Sequence, residues 1–290
     1  MNSHAQVPTT LVMPDRIRTY FASRPRSDRS LTTYVDLDLE QPHRILELAE
    51  EPILQPGGPG RFDEHGIMPA AVVADGNLVW LYYSGWRQLS GRVPYQNTTG
   101  LAVSEDGGRS FRRLSASPVL DAIPGSSLSA TSPCVVRRGE LWHMFYSSGL
   151  AWIDVDGKPE HIYDIRHATS RDGIGWQRGP VAIAQSHPEE ALTRPTLLQR
   201  NAEWAMWFCY RGSRDFRTGA GGYRIGFAAS SDLFQWERND SVAGISLSAE
   251  GWDSQMVAYP CVTQSSNGLL MFYNGNDFGR EGFGYAIWEE

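Results

Sequence analysis

Two aspartates stand just ahead of apolar runs that begin at a proline, and their spacing could support chemistry. Asp63, in FDEHGIMP, lies six residues before the next proline, and Asp253, in WDSQMVAYP, lies seven before it. Two carboxyl groups about 5 to 10 Å apart can cleave a glycosidic bond, one as general acid and one as nucleophile or base. Apolar neighbours such as Phe62 and Trp252 raise a carboxyl pKa, as a general acid requires. Aspartates that cap a turn ahead of a strand are the alternative interpretation.

A third carboxylate and three arginines extend this set. Asp164 begins a strand-like run in IYDIRHA, and Arg166, two residues on, lies on the same face of a strand. The two form either an ion pair or a group that binds sugar hydroxyls. Arg194 directly precedes a proline, and Arg211 follows the aromatic run WFCY. A buried guanidinium needs a partner, which is either a protein carboxylate or a ligand anion.

Other polar residues near the same prolines complete the predicted site. His4 and His65 each stand four residues before a proline, which predicts two imidazoles at one end of the fold. Glu64 is a second choice of acid, and Tyr259 and Asn274 are expected to contact substrate. We expect no metal, because no close Cys/His cluster supplies the ligands that zinc needs. We also expect no cofactor, because the glycine-rich stretches lack the strand-to-helix context of a dinucleotide fingerprint.

These residues are spaced by a repeat that runs along the whole chain. Each unit opens on an apolar run with a proline, followed by a run ending in aromatics, a run ending in a turn, and a weaker fourth run. The prolines are Pro8, Pro69, Pro133, Pro195 and Pro260, at intervals of 61, 64, 62 and 65 residues. The β-branched and aromatic content and the turn punctuation predict four-stranded antiparallel sheets.

Five such sheets arranged radially are a five-bladed β-propeller, an all-β fold. A sandwich or barrel is the alternative, but neither accounts for one proline at the same place in every unit. We predict a single domain over 1–290, with blades at approximately 3–55, 62–119, 128–184, 190–240 and 252–290. The last unit lacks a fourth strand, so the ring must close by packing or by an N-terminal segment. Since inner strands converge on the axis, Asp63 and Asp253 are expected at one channel mouth, in neighbouring sectors.

Three recurrent turns support the repeat. Ser-x-Asp turns carry Asp106, Asp172 and Asp232, and each leads to an aromatic residue. An aspartate in such a turn binds its own backbone amides, and glycine supplies the positive φ. We therefore expect these three aspartates to be structural. The aromatic residues of the second runs are expected to pack between blades.

The proline-marked inner strand and the S-x-D-G-x-x-W turns resemble those of the five-bladed glycoside-active propellers. That superfamily includes arabinanases, β-xylosidases, invertases, levansucrases and mannoside phosphorylases. The strings WDSQMVAYP, YRIGFAASSD and MFYNGNDFGREGFGYA are similar to small, uncharacterised members associated with polysaccharide biosynthesis. The resemblance implies sugar chemistry. Arabinanases and invertases, however, carry an acidic residue next to the inner-strand proline, and this chain contains no Asp-Pro dipeptide.

Composition narrows the function classes. With 26 basic and 33 acidic residues the chain carries a net charge of −7, which disfavours nucleic acid and anionic membranes as partners. No apolar run approaches the roughly 18 to 20 residues of a membrane span, and no signal peptide is visible. Three cysteines without a C-x-x-C pair indicate reduced core residues in a cytoplasmic protein.

The sequence thus favours a glycoside hydrolase-like or phosphorylase-like enzyme that cleaves or transfers a glycosidic bond. Its partner would be a small-molecule or oligosaccharide substrate, which the arginines suggest is anionic. Two alternatives stay open: a non-catalytic carbohydrate-binding propeller, and a propeller repurposed for non-hydrolytic tailoring in biosynthesis. The missing Asp-Pro dipeptide supports the non-catalytic alternative.

Overall fold

Five antiparallel sheets follow one another along the chain, and neighbouring strands in each sheet are consecutive in sequence. The computed structural model describes residues 3–25, 29–91, 93–124, 128–217, 221–266 and 268–288. Blades 1 and 2 consist of β1 (Ser3–Val12), β2 (Arg16–Arg24), β3 (Leu31–Asp38), β4 (Ile45–Leu48), β5 (Gly66–Asp75), β6 (Leu78–Gln88), β7 (Tyr95–Ser104) and β8 (Arg112–Arg113).

The remaining blades repeat this order. Blades 3, 4 and 5 consist of β9 (Ala130–Arg138), β10 (Leu141–Val155), β11 (Lys158–Ser170), β12 (Gln177–Ile183), β13 (Ala191–Arg200), β14 (Glu203–Arg211), β15 (Arg224–Ser230), β16 (Glu237–Arg238), β17 (Ala258–Ser265), β18 (Gly268–Asn274) and β19 (Phe283–Ile287). The helical segments of the described residues are a 3₁₀ turn at Asp240–Val242 and the single turn α1 (Asn276–Gly279). The predicted five-bladed β-propeller is confirmed, and the described part of blade 5 has three strands.

The repeated proline marks a bulge in the inner strands. The residue before it has a positive φ in four blades, at Val7, Ser132, Arg194 and Tyr259, and the pairing register with the second strand shifts there. A bulge leaves one residue of the strand without a ladder partner. Proline suits this place because it has no N–H group to leave unpaired.

The core lies between adjacent blades, as predicted for the aromatic residues. One cluster, which packs blade 1 against blade 2, includes Tyr20, Tyr34, Phe62, Tyr83 and Phe111. Similar clusters fill the other four interfaces, including the one between blades 5 and 1. Each blade is therefore held mainly by its neighbours.

The predicted turn aspartates are structural. The Asp172 Oδ1 atom accepts hydrogen bonds from the backbone N–H groups of Ile174 and Gly175, at 2.9 and 2.8 Å. Asp232 caps its turn in the same way. Leu233 takes the place of Gly173 and has the same left-handed φ, 73° against 72°.

The ring closes through side chains. Asn274, at the end of β18, accepts a hydrogen bond from the Val7 N–H (2.9 Å) and donates to the carbonyl oxygens of Ala5 and Gly282, both at 2.8 Å. The side chain is completely buried. The prediction of Asn274 as a substrate contact is corrected accordingly, because its polar atoms are occupied in joining blade 5 to blade 1.

A buried histidine pair lies in blade 3. His143 Nδ1 and His167 Nε2 are 2.9 Å apart, and their rings are parallel. Phe145 stacks on His167, and Phe234 meets both imidazoles edge-on. Burial lowers the pKa of His167 to about 4. The pKa of His143 is also lowered, by burial and by the nearby charge of Arg138.

We expect this pair to make the fold sensitive to acid. Below pH 6.5 the unfolded chain takes up a proton at His167 while the folded chain resists it until about pH 4, so stability falls as the pH falls. His167 alone lowers the unfolding free energy by about 2 kcal/mol between pH 7 and pH 5. Urea unfolding at the two pH values measures the loss. We expect the loss of unfolding free energy between the two pH values to be smaller by about 2 kcal/mol in His167→Phe and unchanged in the exposed control His187→Phe. An equal loss in the parent protein and both variants would contradict the assignment.

Candidate functional site

The side chain of Arg194 fills the axis of the propeller. From blade 4 it donates hydrogen bonds to the carbonyl oxygens of Pro69 (3.0 Å) and Ala70 (3.1 Å) in β5, and of Pro8 (2.9 Å) in β1. It also donates to Thr9 Oγ1 at 2.7 Å. The sequence pattern predicted a carboxylate or a ligand anion as its partner. The structure corrects this, because backbone carbonyls of two other blades surround the guanidinium.

Asp63 is completely buried and follows Phe62, which belongs to the cluster between blades 1 and 2. Its Oδ2 atom accepts hydrogen bonds from Arg113 Nε at 2.6 Å and from the Tyr83 hydroxyl at 3.0 Å. The ring of Phe62 stacks on Tyr83. The loop is thereby tied to its own blade, and the expected position at the channel mouth is corrected.

Asp253 occupies the equivalent place in blade 5. It accepts a hydrogen bond from the Tyr273 hydroxyl at 2.7 Å, and Trp252 stacks on that tyrosine. Asp63 and Asp253 each lie 20 residues before the tyrosine that they bind, so blades 2 and 5 repeat the same aspartate–tyrosine contact. Inner strands of consecutive blades contact each other around the ring, so blade 1 stands between blades 2 and 5. The expectation of neighbouring sectors is therefore also corrected.

The polar residues beside Asp63 serve the same loop. Glu64 Oε2 accepts a hydrogen bond from the Gly60 N–H at 2.8 Å, which makes it a turn cap rather than a free acid. His65 packs against Trp86, and its Nδ1 atom lies 3.3 Å from the Gln88 N–H.

His4 lies partly buried near the start of β1. Its Nδ1 atom is 2.8 Å from Ser3 Oγ. Burial lowers the pKa of His4, and the nearby charges of Arg24 and Arg280 lower it further. His4 and His65 therefore both stand where inner strands begin, which we call the entry face of the propeller.

Asp164 lies at the level of the entry face in blade 3. Asp164 pairs with Ser148 of β10, and Ser148 in turn pairs with Ala130 at the start of β9. Both of its oxygens lie 3.1 Å from Arg166 Nε, so the predicted pair forms. Burial raises the pKa of Asp164 despite this arginine. A raised carboxyl pKa is a property of general acids.

An aromatic cluster surrounds Arg211 at the entry face. The buried guanidinium stacks on the ring of Phe216, with its carbon 3.7 Å from the ring centre. Its Nε atom donates to the Tyr223 hydroxyl at 3.2 Å, and Nη2 donates to the carbonyl of His161 at 3.0 Å. Tyr259 packs against Tyr223, and burial strongly raises the pKa of Tyr259.

A cleft of about 610 Å³, here called the blade-4 cleft, opens beside this cluster and was not predicted from the sequence. It is lined by Ser186, His187, Glu190, Tyr210, Arg211, Gly212, Gly221, Gly222, Arg224, Arg238, Asn239 and Asp240. Its volume is typical of small-molecule sites. The repeat gave one usable signal, because Arg238 holds the position in blade 4 that Arg113 holds in blade 2. Each arginine pairs with an alanine of the third strand, and that alanine lies two residues after a glycine.

Two carboxylates of the blade-4 cleft share one arginine. Arg238 Nη2 donates to Glu190 Oε1 at 2.8 Å and to Asp240 Oδ2 at 2.7 Å. Hydrogen bonding to Arg238 outweighs burial and lowers the pKa of Glu190. Glu190 therefore holds its negative charge and supplies no proton.

Within the described residues, no group of three His, Cys, Asp or Glu side chains could hold a metal ion. No helix in this part of the chain is long and apolar enough to cross a membrane. The three cysteines are free, and burial raises the pKa of Cys134 and Cys209 to about 12.

Comparisons with known proteins identify sequences similar to this chain. The uncharacterized proteins MT1551 and Rv1502, from two strains of Mycobacterium tuberculosis, are each 37% identical over 290 residues, which covers 99% of this chain and 93% of theirs. A β-1,2-mannobiose phosphorylase of Thermoanaerobacter sp. is 24% identical over 159 residues, or 51% of this chain and 50% of that protein. No protein-family model matches.

Solved structures show the same architecture. A thermostable family-43 glycoside hydrolase superimposes with a TM-score of 0.73 at 17% identity, over 99% of this chain and 91% of that one. The Bombyx mori GH32 β-fructofuranosidase BmSUC1, as its D63A mutant with sucrose, gives 0.65 at 14% identity, over 98% and 61%. The fold is that of the glycoside-active five-bladed propellers.

Proposed function

We propose that this chain, which belongs to the same protein family as MT1551 and Rv1502 of Mycobacterium tuberculosis, acts on a glycosidic bond at its entry face. The substrate would be a carbohydrate or a glycosylated small molecule. The fold is shared with glycoside hydrolases, and part of the sequence is similar to a phosphorylase of mannobiose. Both support this class of chemistry without naming the sugar.

Asp164 is the observation that carries the proposal. Burial raises its pKa, which favours the protonated form that a leaving oxygen requires. Arg166 Nε lies 3.1 Å from both carboxyl oxygens of Asp164. The acid would therefore be held in one orientation at the level of the entry face.

Residues of the same face would bind the substrate. Arg211, Tyr223 and Tyr259 bring a guanidinium and two phenol groups together, and such groups can hydrogen-bond to sugar hydroxyls or to an anionic substituent. The free thiols favour a reducing compartment such as the cytoplasm.

A substrate screen with mass detection of products tests the proposal. Once a substrate is found, we expect Asp164→Asn to lower turnover by at least about 100-fold, because a general acid typically contributes that much. Glu105→Gln, at an exposed turn, is the matched control and should retain full turnover. Undiminished turnover in Asp164→Asn at unchanged melting temperature would remove Asp164 from catalysis.

The alternative is a carbohydrate-binding propeller without turnover. It is favoured by the way Asp63 and Asp253 are each bonded to a tyrosine of their own blade, since this leaves no shared pocket for those two carboxylates. That protein would gain melting temperature with a sugar and release no product. A repurposed biosynthetic enzyme would instead yield a modified sugar of altered mass with its glycosidic bond intact.

A further inference from the structure

We propose that a second copy of this chain binds along the outer edge of blade 5, where β19 of one copy pairs with β19 of the other about a two-fold axis. This edge is the side of β19 that faces away from β18, and we call it the blade-5 edge. In the other four blades a fourth strand covers the corresponding place. Among the described residues, no strand pairs with β19 on this side. The contact does not depend on the proposed function.

The blade-5 edge presents unpaired backbone groups. The Trp288 N–H donates to the Leu269 carbonyl at 2.9 Å, and this bond continues the register of β18 and β19. Opposite residues in an antiparallel ladder alternate between hydrogen-bonded and non-hydrogen-bonded pairs. Phe283, Tyr285 and Ile287 therefore direct their N–H and C=O groups away from β18. A strand added on that side can satisfy these groups.

The outer strands of the other blades carry residues that discourage such pairing, and β19 carries none. A charge or a proline on an edge strand hinders pairing with another chain. Residues of these kinds in the four outer strands are Glu47 in β4, Arg112 and Arg113 in β8, Arg178 and Pro180 in β12, and Glu237 and Arg238 in β16. The sequence of β19, FGYAI, contains neither a charge nor a proline. The blade-5 edge is therefore open to a partner strand.

Two apolar clefts flank β19, one on each face. The cleft toward blade 1 has a volume of about 390 Å³, and its lining includes Phe21 and Phe272. The cleft toward blade 4 has a volume of about 280 Å³, and its lining includes Met271 and Trp288. Successive side chains of a strand point to opposite faces of its sheet. One strand along the blade-5 edge thus directs side chains toward both clefts.

The most exposed large hydrophobic residues of the described chain lie beside these clefts. Ile45 is 63% exposed, Leu48 57% and Ile287 53%. Ile45 and Leu48, on β4, line the cleft toward blade 1, whereas Ile287 lines the cleft toward blade 4. A concentration of exposed apolar side chains marks an interaction surface.

A two-fold axis at Tyr285 makes the blade-5 edge complementary to itself. In that register Phe283 lies opposite Ile287 of the partner subunit, and Tyr285 lies opposite Tyr285 of the partner subunit. No charged residues face each other in these pairs, and each pair exchanges both of its backbone hydrogen bonds. The axis is perpendicular to the joined sheet, so the exposed residues of both β4 strands lie on the same side of it.

The size of the surface fits a dimer of identical chains. The residues that line the two clefts are about as many as one side of a standard interface engages, roughly 20 to 30. Interfaces between identical chains are also more apolar than transient ones, which matches the lining of both clefts. A second copy brings both β4 and β19 to the contact, whereas a peptide strand brings no counterpart of β4.

Sedimentation velocity over a range of protein concentrations tests this contact. We expect a monomer–dimer equilibrium in which the dimer has twice the mass of one chain. Ile287→Lys places a charge on the blade-5 edge, opposite Phe283 of the partner subunit, and should weaken dimerisation at least tenfold. Ile174→Lys, at an exposed isoleucine of blade 3, is the matched control and should dimerise like the parent.

A cysteine at the two-fold axis locates the contact by a separate measurement. Opposite residues of a hydrogen-bonded antiparallel pair have Cα atoms about 5.5 Å apart, which a disulfide can span. With oxidised glutathione as the oxidant, Tyr285→Cys should therefore form a disulfide-linked dimer. Ala286→Cys lies opposite Gly284 of the partner subunit and should stay unlinked, as should the parent with its free cysteines.

A protein that stays monomeric at every concentration would overturn the proposal and leave the blade-5 edge to a strand of another protein. A dimer that Ile287→Lys leaves unchanged, or that Tyr285→Cys fails to link, would also overturn it. Circular dichroism of Ile287→Lys should match that of the parent, because Ile287 is largely exposed. If that variant does not fold, the two cysteine variants decide the question.

Discussion

Asp63→Asn is expected to lower the free energy of unfolding by about 3 kcal/mol, because it removes one partner of a buried ion pair. The carboxylate is completely buried and accepts from both Arg113 and Tyr83. An amide leaves the Arg113 guanidinium without its counter-charge, and its NH2 group takes the buried position of Oδ1, which has no hydrogen-bond partner. Urea unfolding measures the change.

Asp75→Asn is the matched control for Asp63→Asn. Its ion pair with Arg137, at 3.4 Å, is exposed on both sides, so the loss should stay below about 1 kcal/mol. Turnover per folded molecule decides between the two roles of Asp63. Unchanged stability with lost turnover would instead restore the catalytic interpretation drawn from the sequence.

Arg194→Met is expected to lower the free energy of unfolding by about 4 kcal/mol. Methionine fills much of the volume but leaves the carbonyls of Pro8, Pro69 and Ala70 without a donor. Each buried acceptor left unsatisfied costs about 1 to 3 kcal/mol. Relief of the buried charge offsets part of this cost, since burial lowers the pKa of Arg194, and a loss of about 4 kcal/mol remains.

Arg200→Met provides the comparison for Arg194→Met, because Arg200 is an exposed arginine at the end of the same strand. It should change the unfolding free energy by less than about 1 kcal/mol. Stability equal to the parent in Arg194→Met would mean that the cost of burying the guanidinium cancels its hydrogen bonds.

The fold was predictable because the sequence repeats the same pattern of strands and turns. Prolines spaced by 61 to 65 residues and the turns at Asp172 and Asp232 report local backbone geometry, which a sequence shows directly. The three strands in the described part of the last blade followed from the same spacing.

The site was less predictable because it depends on where side chains point. The motif around Asp63 looks alike for a cap and for a catalytic acid, and only the contact with Arg113, 50 residues later, separates the two. Arg194 likewise reaches residues more than 120 positions away. The Asp164–Arg166 pair was predictable because two residues on one strand face need no long-range information.

The contact between blades 1 and 5 has a consequence for the order of folding. The Val7–Asn274 bond joins residues 267 positions apart, and such a contact carries a large loop-closure entropy. During synthesis on the ribosome, nearly the whole chain must be made before blade 5 can cover the side of blade 1 that packs against it. Closure is then a late event, and a chain that stops before β18 exposes the apolar face of Ile17, Phe21 and Leu37, a surface that chaperones recognise or that aggregates.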